Sequence, residues 1–380
     1  MNAHSVKMLT AGRLKTSEQD VLENPLKPIL LAILVLLASP ATLRIGVASQ
    51  SMVAPTQSHA PILIIGNPGF TQANGVTGGS GNPSDPYVID QWQVSAPSGN
   101  GITIVNTTSY FVVQGVSVSS ALRGIYLHNV TNGSLRNSAI SDNGYGVLVE
   151  QSSGISISNN VVSDNAMSDP TQFFTGEEIL IDTCTKVSVV GNQIYSVPGP
   201  VSGQKAGLVV DSSPGSVISK NNIRSSRIAV SLDKTANALV TGNNVSYNVN
   251  TALILSSSPN ANITGNVFAH NAMGISIGDS ISLSDNASIT SNTVYWNTNF
   301  GISVNSNNAT ISKNVIALDG AGITCCGFAK VATIRGNNFT RDGLIVSANG
   351  YIPNVSLKIT NDNLVNGKPL LFYAGARTLT

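Results

Sequence analysis

One short phrase recurs along this chain at nearly even intervals. It appears as "VVGNQIYS", "ALVTGNNVSYN", "NITGNVFA" and "TIRGNNFT". The asparagines that stand two positions before an apolar residue in each copy are Asn137, Asn159, Asn192, Asn221, Asn243, Asn266, Asn292, Asn314 and Asn337. Successive members are 22, 33, 29, 22, 23, 26, 22 and 23 residues apart. A unit of about 22 residues, expanded in three copies, therefore repeats some ten or eleven times.

Each unit also contains apolar residues that alternate over only four or five positions, as in "GIYL" from Gly124 and "GISI" from Gly274. This is the period of a β-strand, and it leaves no room for a helix. Three such stretches and three turns form one rung of a solenoid whose parallel strands stack about 4.8 Å apart. The nine asparagines then lie above one another and form a ladder, in which each amide bonds to backbone and to the next amide.

Composition limits the possible partners. The chain is 42% hydrophobic and only 10% charged, with a formal net charge of +1. It can bury a large core, and it lacks the basic excess of a nucleic-acid-binding protein. The sequence therefore predicts no nucleic-acid partner.

The N-terminal segment differs from the repeats. The apolar run "KPILLAILVLLASP" (27–40) is followed by the small residues Gly46, Val47 and Ala48. Residues 1–48 are therefore predicted to be a signal peptide or an uncleaved N-terminal membrane anchor, which alone would contact a membrane. Residues 49–61 are interpreted as a linker. Both alternatives predict a secreted or cell-surface protein.

The repeats resemble those of right-handed parallel β-helix proteins of the pectin-lyase-like class, with PbH1 repeats. The segment "FTQANGVTGGSGNPSDPYVIDQWQV" (70–94) resembles the opening of archaeal NosD-like β-helix proteins. The resemblance covers residues 62–375, and it implies a right-handed β-helix with an N-terminal cap at 62–94. The fold hosts lyases, hydrolases, epimerases and non-enzymes, so it implies no single activity. The NosD name suggests copper handling, but four His and five Met without a cluster supply few copper ligands.

A row of acids follows the "GIYL"-type strand in four consecutive rungs: Glu150, Asp182, Asp211 and Asp233. Neighbours about 5 Å apart suit retaining glycoside hydrolysis, and acids two rungs apart approach the separation of inverting enzymes. Like charges in a row also attract a cation, so Asp182 and Asp211 are candidate calcium ligands. A third interpretation is that these residues are ordinary turn formers.

Two of the expanded units carry long insertions on neighbouring rungs, at 165–178 and 195–205. Loops at these positions could wall a groove, where aromatic rings stack on sugars and polar groups contact the ligand. The candidate substrate-binding residues are Phe173, Phe174, Glu177, Glu178 and Lys205.

The sequence thus predicts an exported β-helix that binds a polysaccharide or another extended polymer along its solenoid. One alternative is a carbohydrate-active lyase or hydrolase that uses the acidic row. The other is a structural or adhesion scaffold on the cell surface.

Overall fold

A computed structural model describes the following residues of the chain: 55, 57–165, 177–196, 206–278, 282–325, 331–346 and 356–371. The described residues all belong to one compact unit. The predicted leader at 1–48 lies outside the described residues. Within the described ranges, no helix is long and apolar enough to cross a membrane.

The described strands form three sheets of 12, 13 and 14 strands, and each rung of the solenoid adds one strand to each sheet. Pairing between rungs is parallel, with antiparallel pairs at the two ends. Sheet 1 consists of Ile62–Ile65, Asn100–Thr107, Arg123–Val130, Tyr145–Glu150, Ile179–Asp182, Ala206–Asp211, Ile228–Asp233, Thr251–Ser256, Met273–Ile277, Phe300–Val304, Ile323–Cys325 and Leu344–Val346.

Sheet 2 consists of Val76–Gly78, Tyr87–Asp90, Phe111–Gln114, Gly133–Arg136, Ser156–Ser158, Ser188–Val190, Val217–Ser219, Leu239–Thr241, Asn262–Thr264, Ser288–Thr290, Ala309–Ser312, Val331–Arg335 and Ser356–Ile359. Sheet 3 consists of Gln57–His59, Trp92–Ser95, Ser117–Ser119, Ala139–Ser141, Val161–Ser163, Gln193–Tyr195, Asn222–Arg224, Asn244–Ser246, Val267–Ala269, Thr293–Tyr295, Val315–Ala317, Asn338–Thr340, Leu364–Val365 and Lys368–Pro369. Two 3-10 helices, Asn67–Gly69 and Gln72–Asn74, lie near the N-terminal end. The predicted all-β, right-handed parallel β-helix of about ten turns is confirmed.

The core is a column of apolar side chains in which every sheet takes part. In one rung, Ile181 of sheet 1, Val189 of sheet 2 and Ile194 of sheet 3 are at most 1% exposed. The strand Ile179–Asp182 alternates buried and half-buried residues, as a strand with one face on a core must. The residues between the inward ones face outward, and these positions are free to carry function.

The corner between sheets 2 and 3, corner 2–3, contains the asparagine ladder. The Asn243 backbone N–H and side-chain Nδ2 both donate to Oδ1 of Asn266 on the next rung, each at 2.9 Å. Asn243 Nδ2 also donates to the Ile218 carbonyl of the preceding rung at 2.9 Å. The same pattern joins the buried amides of Asn160, Asn192, Asn221, Asn243, Asn266, Asn292, Asn314, Asn337 and Asn363.

Two of the nine predicted ladder residues, Asn137 and Asn159, do not occupy the ladder. They precede it by one residue and have positive φ, at 52° and 55°. Ser138 and Asn160 stand at the ladder position instead, where the Ser138 N–H donates to Oδ1 of Asn160. The prediction was wrong there because asparagine suits the left-handed position that precedes the ladder as well as the ladder itself.

The other two corners have polar columns of their own. At the corner between sheets 3 and 1, corner 3–1, the column contains Asn143, Asn165, Glu178, Asn248, Asn271, Asn297, Asp319 and Asp342. At the corner between sheets 1 and 2, corner 1–2, hydroxyls and one thiol accept backbone N–H groups: Ser152, Cys184, Ser213, Thr235, Ser258, Ser284 and Ser306. All three corners therefore satisfy buried backbone groups with side chains.

The N-terminal end begins earlier than predicted. Gln57–His59 pairs in parallel with Trp92–Val94, and the His59 ring lies 4.8 Å from that of Trp92. The prediction of a linker over 49–61 is therefore wrong for its last residues, since their backbone extends sheet 3. Within the predicted cap, Val76–Gly78 pairs antiparallel with strand Tyr87–Asp90.

The ladder leads to a stability prediction. Asn243→Ala leaves the Ile218 carbonyl and the Asn221 donors without partners in a buried corner, at a cost of about 1–3 kcal/mol for each unsatisfied group. We expect a fall of several kcal/mol in the free energy of unfolding, measured by denaturant titration. Asn244→Ala is the matched control, because that half-buried amide makes one long bond of 3.4 Å to Asn222. Equal stability losses in the two variants would contradict a structural role for the ladder.

Candidate functional site

The four predicted acids lie on one line along the outer face of the solenoid. Glu150 pairs with Asp182, Asp182 with Asp211, and Asp211 with Asp233 in the parallel register of sheet 1. Each is the last residue of its strand, where the chain turns into corner 1–2. Neighbouring strands are about 4.8 Å apart, so the four carboxyl groups form a continuous acidic row.

The carboxylates face solvent and bond to other side chains. The side chains of Glu150, Asp211 and Asp233 are 32%, 35% and 36% exposed. Hydroxyls of the next residues in the chain donate to Asp182 and Asp211 at 2.8 Å, from Thr183 Oγ1 and Ser212 Oγ. The acids therefore have oxygen lone pairs available on an open face.

A cation stands at the C-terminal end of the acidic row. Lys234 Nζ lies 3.0 Å from Asp233 Oδ2 and 3.9 Å from Asp211 Oδ1. The hydrogen bond to Asp233, followed by the charge of Asp211, raises the pKa of Lys234 above its ordinary value. The repulsion between these two acids is thus relieved by a residue of the chain itself.

At the N-terminal end of the row, Glu150 belongs to a cluster of polar and aromatic groups. The Tyr126 hydroxyl donates to Glu150 Oε2 at 2.8 Å, and His128 Nδ1 lies 3.6 Å from the same oxygen. The guanidinium of Arg123 lies over the Tyr126 ring, 5.0 Å from its centre. Burial, then the bond to Glu150, raises the pKa of Tyr126, so this hydroxyl stays a proton donor at neutral pH.

Two more side chains belong to this cluster: Tyr145, on the strand that carries Glu150, and Glu177, one rung further. Burial raises the pKa of Tyr145, and the charge of Glu177 raises it further. Burial also raises the pKa of Glu177, and its Oε2 has no hydrogen-bond partner within the described residues. The cluster around Glu150 therefore holds hydroxyl donors, carboxyl groups and one guanidinium on a single face.

Sequence reasoning identified the acidic row but missed Arg123, Tyr126 and Tyr145. These residues belong to the strands that carry His128 and Glu150. The register of the parallel strands could have identified them. It pairs Arg123 with Tyr145, and Tyr126 lies on the outward face of the same strand as His128. Reading the strands upstream of their last residue would have found the cluster.

Glu178 is not a groove residue. It is 0% exposed and stands in the corner 3–1 column, where its Oε2 accepts from Asn165 Nδ2 at 2.6 Å and its Oε1 from Ser196 Oγ at 2.8 Å. The proposed substrate contact was wrong because Glu178 lies just before strand Ile179–Asp182, where its side chain points into the corner. Burial, opposed by these hydrogen bonds, raises the pKa of Glu178 to about 7.

The remaining predicted contacts, Phe173, Phe174 and Lys205, lie outside the described residues. The chain leaves the described solenoid after Asn165 and Ser196 and rejoins it at Glu177 and Ala206. Both departures are at corner 3–1, on neighbouring rungs of the solenoid. A groove wall built by these insertions stays a prediction.

The proposed calcium ligands Asp182 and Asp211 are adjacent on the row. Calcium takes six to eight oxygens, and two carboxylates with two neighbouring hydroxyls supply only part of such a set. In the ranges that the structure covers, no group of three or more His, Cys, Asp or Glu residues could hold a metal ion. Calcium binding at Asp182 and Asp211 stays a prediction.

Two family models match the sequence. The model described as periplasmic copper-binding protein (NosD) matches residues 185–368, and the model for the right handed beta helix region matches residues 74–200. The resemblance to NosD-like β-helix proteins is therefore confirmed.

Several solved structures match part of this chain. The Dettilon tailspike protein (gp208) is 11% identical with a TM-score of 0.49, and the match covers 75% of this chain and 61% of the tailspike. The periplasmic alginate epimerase AlgG is 13% identical with a TM-score of 0.45, covering 81% and 84%. PfbA, a surface adhesin of Streptococcus pneumoniae, is 11% identical with a TM-score of 0.45, covering 71% and 76%. The chain thus spans about three fifths of the tailspike's length, and a sequence comparison with curated proteins finds no match.

The buried Glu178 carboxyl predicts a pH dependence of stability. Its pKa in the folded protein is about 7, above the ordinary 4.5, so the folded protein keeps a proton that the unfolded chain releases. Stability should therefore fall as pH rises from about 4.5 to about 7, by roughly 3 kcal/mol from this group. Glu178→Gln keeps an oxygen acceptor for Asn165 and should remove this component.

The measurement is the free energy of unfolding of both proteins between pH 4.5 and 8. We expect the variant to be the more stable at pH 8 and the difference to shrink toward pH 4.5. Asp142→Asn, an exposed acid at the same corner, should leave the pH profile of the wild type unchanged. A parallel pH profile for Glu178→Gln and the wild type would exclude a buried proton on Glu178.

Proposed function

We propose that this protein binds a polysaccharide chain along the outer face of sheet 1. The observation that carries the proposal is the acidic row, four carboxylates held at one strand spacing on an open face. Carboxylates accept two hydrogen bonds in a fork, and vicinal sugar hydroxyls are donors of matching geometry. A chain that runs parallel to the solenoid axis meets a new acceptor on each rung.

The charge of the row favours a neutral, hydroxyl-rich chain. A polyanionic polymer would be repelled by Glu150 and Asp182 unless a cation bridged them. Calcium is the natural bridge, because it prefers carboxylate oxygens. Calcium dependence of binding therefore separates an anionic ligand from a neutral one.

The proposed site of action is outside the cytoplasm. The apolar run at 27–40 and the small residues at 46–48 support export, by a cleaved signal peptide or by a membrane anchor. The matching NosD model describes a periplasmic protein, which agrees with export. N-terminal sequencing of the mature protein would distinguish cleavage from anchoring.

A second candidate function is carbohydrate cleavage at the cluster around Glu150. The specific observation is the Tyr126 hydroxyl held 2.8 Å from the Glu150 carboxylate beside Arg123 and His128. Tyr126 can donate a proton to a leaving oxygen, Glu150 can take up a proton or attack a sugar carbon, and Arg123 can neutralise an acidic sugar. Both lyase and hydrolase chemistry need such a donor and acceptor.

Copper handling has less support from the described residues. His59, His128 and His270 stand on well-separated rungs, and no group of three possible metal ligands forms among the described residues. Copper binding that His128→Asn abolishes would reverse this judgement.

Polysaccharide binding is tested on the full chain with a glycan array, followed by titration of the bound glycans with and without Ca²⁺. Asp182→Asn with Asp211→Asn removes two charges from the middle of the row and keeps the side-chain shape. We expect binding to weaken by about tenfold or more, equivalent to 1.4 kcal/mol or more. Asp142→Asn, an exposed acid away from the row, should bind as the wild type does.

No bound glycan in any condition would favour the scaffold or adhesion alternative. Unchanged binding by the double variant would remove the acidic row from the site.

Cleavage is tested by incubating the glycans that bind with the wild type and with Glu150→Gln. A lyase releases chains with an unsaturated end that absorbs ultraviolet light, and a hydrolase releases reducing ends only. If Glu150 takes part in the chemistry, Glu150→Gln should lower the rate by about 10²-fold or more while the protein still binds glycan. A wild type that binds its glycan and leaves it intact for hours is a binding protein.

A further inference from the structure

A second surface of the solenoid carries aromatic rings at a corner position with positive φ. At corner 3–1, the residue that precedes the polar column has positive φ in most of the described rungs. Four rungs place small polar residues there, namely Ser120, Asp142, Asp164 and Ser225. Three successive rungs place Tyr247, His270 and Trp296 there, with φ of 60°, 57° and 55°.

Bulky side chains are rare in this conformation, because their Cβ atom meets the neighbouring carbonyl. Holding them there costs free energy. The next two rungs place Leu318 and Arg341 at the same position, with φ of 61° and 56°, so the backbone angle belongs to the corner, and what distinguishes these three rungs is that their side chains are aromatic. The aromatic side chains are not required to keep these rungs in register, because Asn248, Asn271 and Asn297 already join the rungs through their amides.

The rings form one group, which we call the aromatic column: Tyr247, His270, Tyr295 and Trp296. Tyr247 and His270 are parallel, with ring centres 4.6 Å apart, and Trp296 lies 4.7 Å beyond His270. Tyr295 comes from the adjoining strand of sheet 3, 5.6 Å from His270. Burial lowers the pKa of His270, so the ring is neutral at physiological pH.

The column remains open to solvent. Tyr247 is 64% exposed, Trp296 is 37% exposed, and the neighbouring Val249 is 71% exposed. Tyr295 pairs on both sides with alanines, Ala269 and Ala317, which leave space around its ring. A stack that served stability alone would gain from covering this apolar surface.

We infer that the aromatic column is a binding site for the sugar rings of a polysaccharide. The apolar faces of pyranose rings stack on neutral aromatic side chains. Nucleic-acid bases also stack on such rings, but strand binding requires a basic groove. This chain has 20 Lys and Arg against 19 Asp and Glu, which favours the neutral ligand.

The inference rests on the proposed function and extends it. It assigns the same class of ligand to a second surface, at corner 3–1, where the chain enters the strands of sheet 1. The acidic row recognises hydroxyl groups by charge, whereas the column recognises the faces of the sugar rings. The two surfaces can be tested by separate variants in one assay.

The test replaces Tyr247 and Trp296 by asparagine in the full chain. Asparagine accepts a positive φ, so Tyr247→Asn with Trp296→Asn should keep the corner intact. Leu318→Asn is the matched control, at the same position one rung further with φ of 61°. The probes are hydroxyethylcellulose and xylan as neutral chains, alginate as an anionic chain, and single-stranded DNA.

We expect the double variant to lose about tenfold or more in affinity for a neutral chain, while Leu318→Asn binds as the wild type does. Tryptophan fluorescence gives a second readout, because Trp296 is one of two tryptophans and Trp92 lies at the N-terminal end, bonded to the Gly75 carbonyl. The spectral shift on adding the neutral chain should vanish in Trp296→Asn.

The inference is overturned if the double variant binds every polysaccharide as the wild type does, or if it loses thermal stability alone. If the double variant lost binding only to single-stranded DNA, the partner of the column would be a nucleic acid, and the inference would be overturned as well. Asp182→Asn with Asp211→Asn in the same assay separates the two surfaces. Binding lost in that variant alone would reject the column, and binding lost in the aromatic variant alone would reject the acidic row.

Discussion

Every rung of this protein depends on side chains that take the place of backbone partners at the corners. A parallel solenoid must turn three times in about 22 residues, and each turn leaves N–H and C=O groups inside the protein. Asn243 shows how the free-energy cost of leaving these groups unpaired is avoided, since its amide donates to a carbonyl of the preceding rung and to the amide of the next rung. The regular stack fixes the register of the sheets, and the register in turn decides which outward residues become neighbours.

The repeat spacing was enough to predict the fold, because a period of about 22 residues with strand alternation has few other solutions. The ladder was harder to place to the residue. Its position and the preceding left-handed position both favour asparagine, so Asn159 and Asn160 compete for the same role in the sequence. The columns at the other corners mix residue types, with Ser, Thr and Cys at corner 1–2 and Asn, Asp and Glu at corner 3–1, so they repeat less regularly than the ladder does.

Register also explains what could be predicted of the candidate site. Each of the four acids is the last residue of its strand: Glu150, Asp182, Asp211 and Asp233. Predicting the strand ends correctly was therefore enough to place all four on one line. Glu178 immediately precedes strand Ile179–Asp182, where a shift of one residue in the sequence separates the outward Glu177 from the buried Glu178. The partners of the acids, such as Lys234, follow from side-chain rotamers, which no spacing in the sequence reveals.

Inward and outward positions at a corner differ in what constrains them, and this difference has a consequence for function. A buried corner residue is constrained by two neighbouring rungs, so changing it alters stability throughout the stack. An outward residue at the same corner is constrained only by its own backbone angle. Tyr247 and Asn248 are adjacent in sequence, yet the first is largely exposed and the second is 3% exposed. Substituting Tyr247 can therefore change what the solenoid binds without disturbing the amides that hold it together.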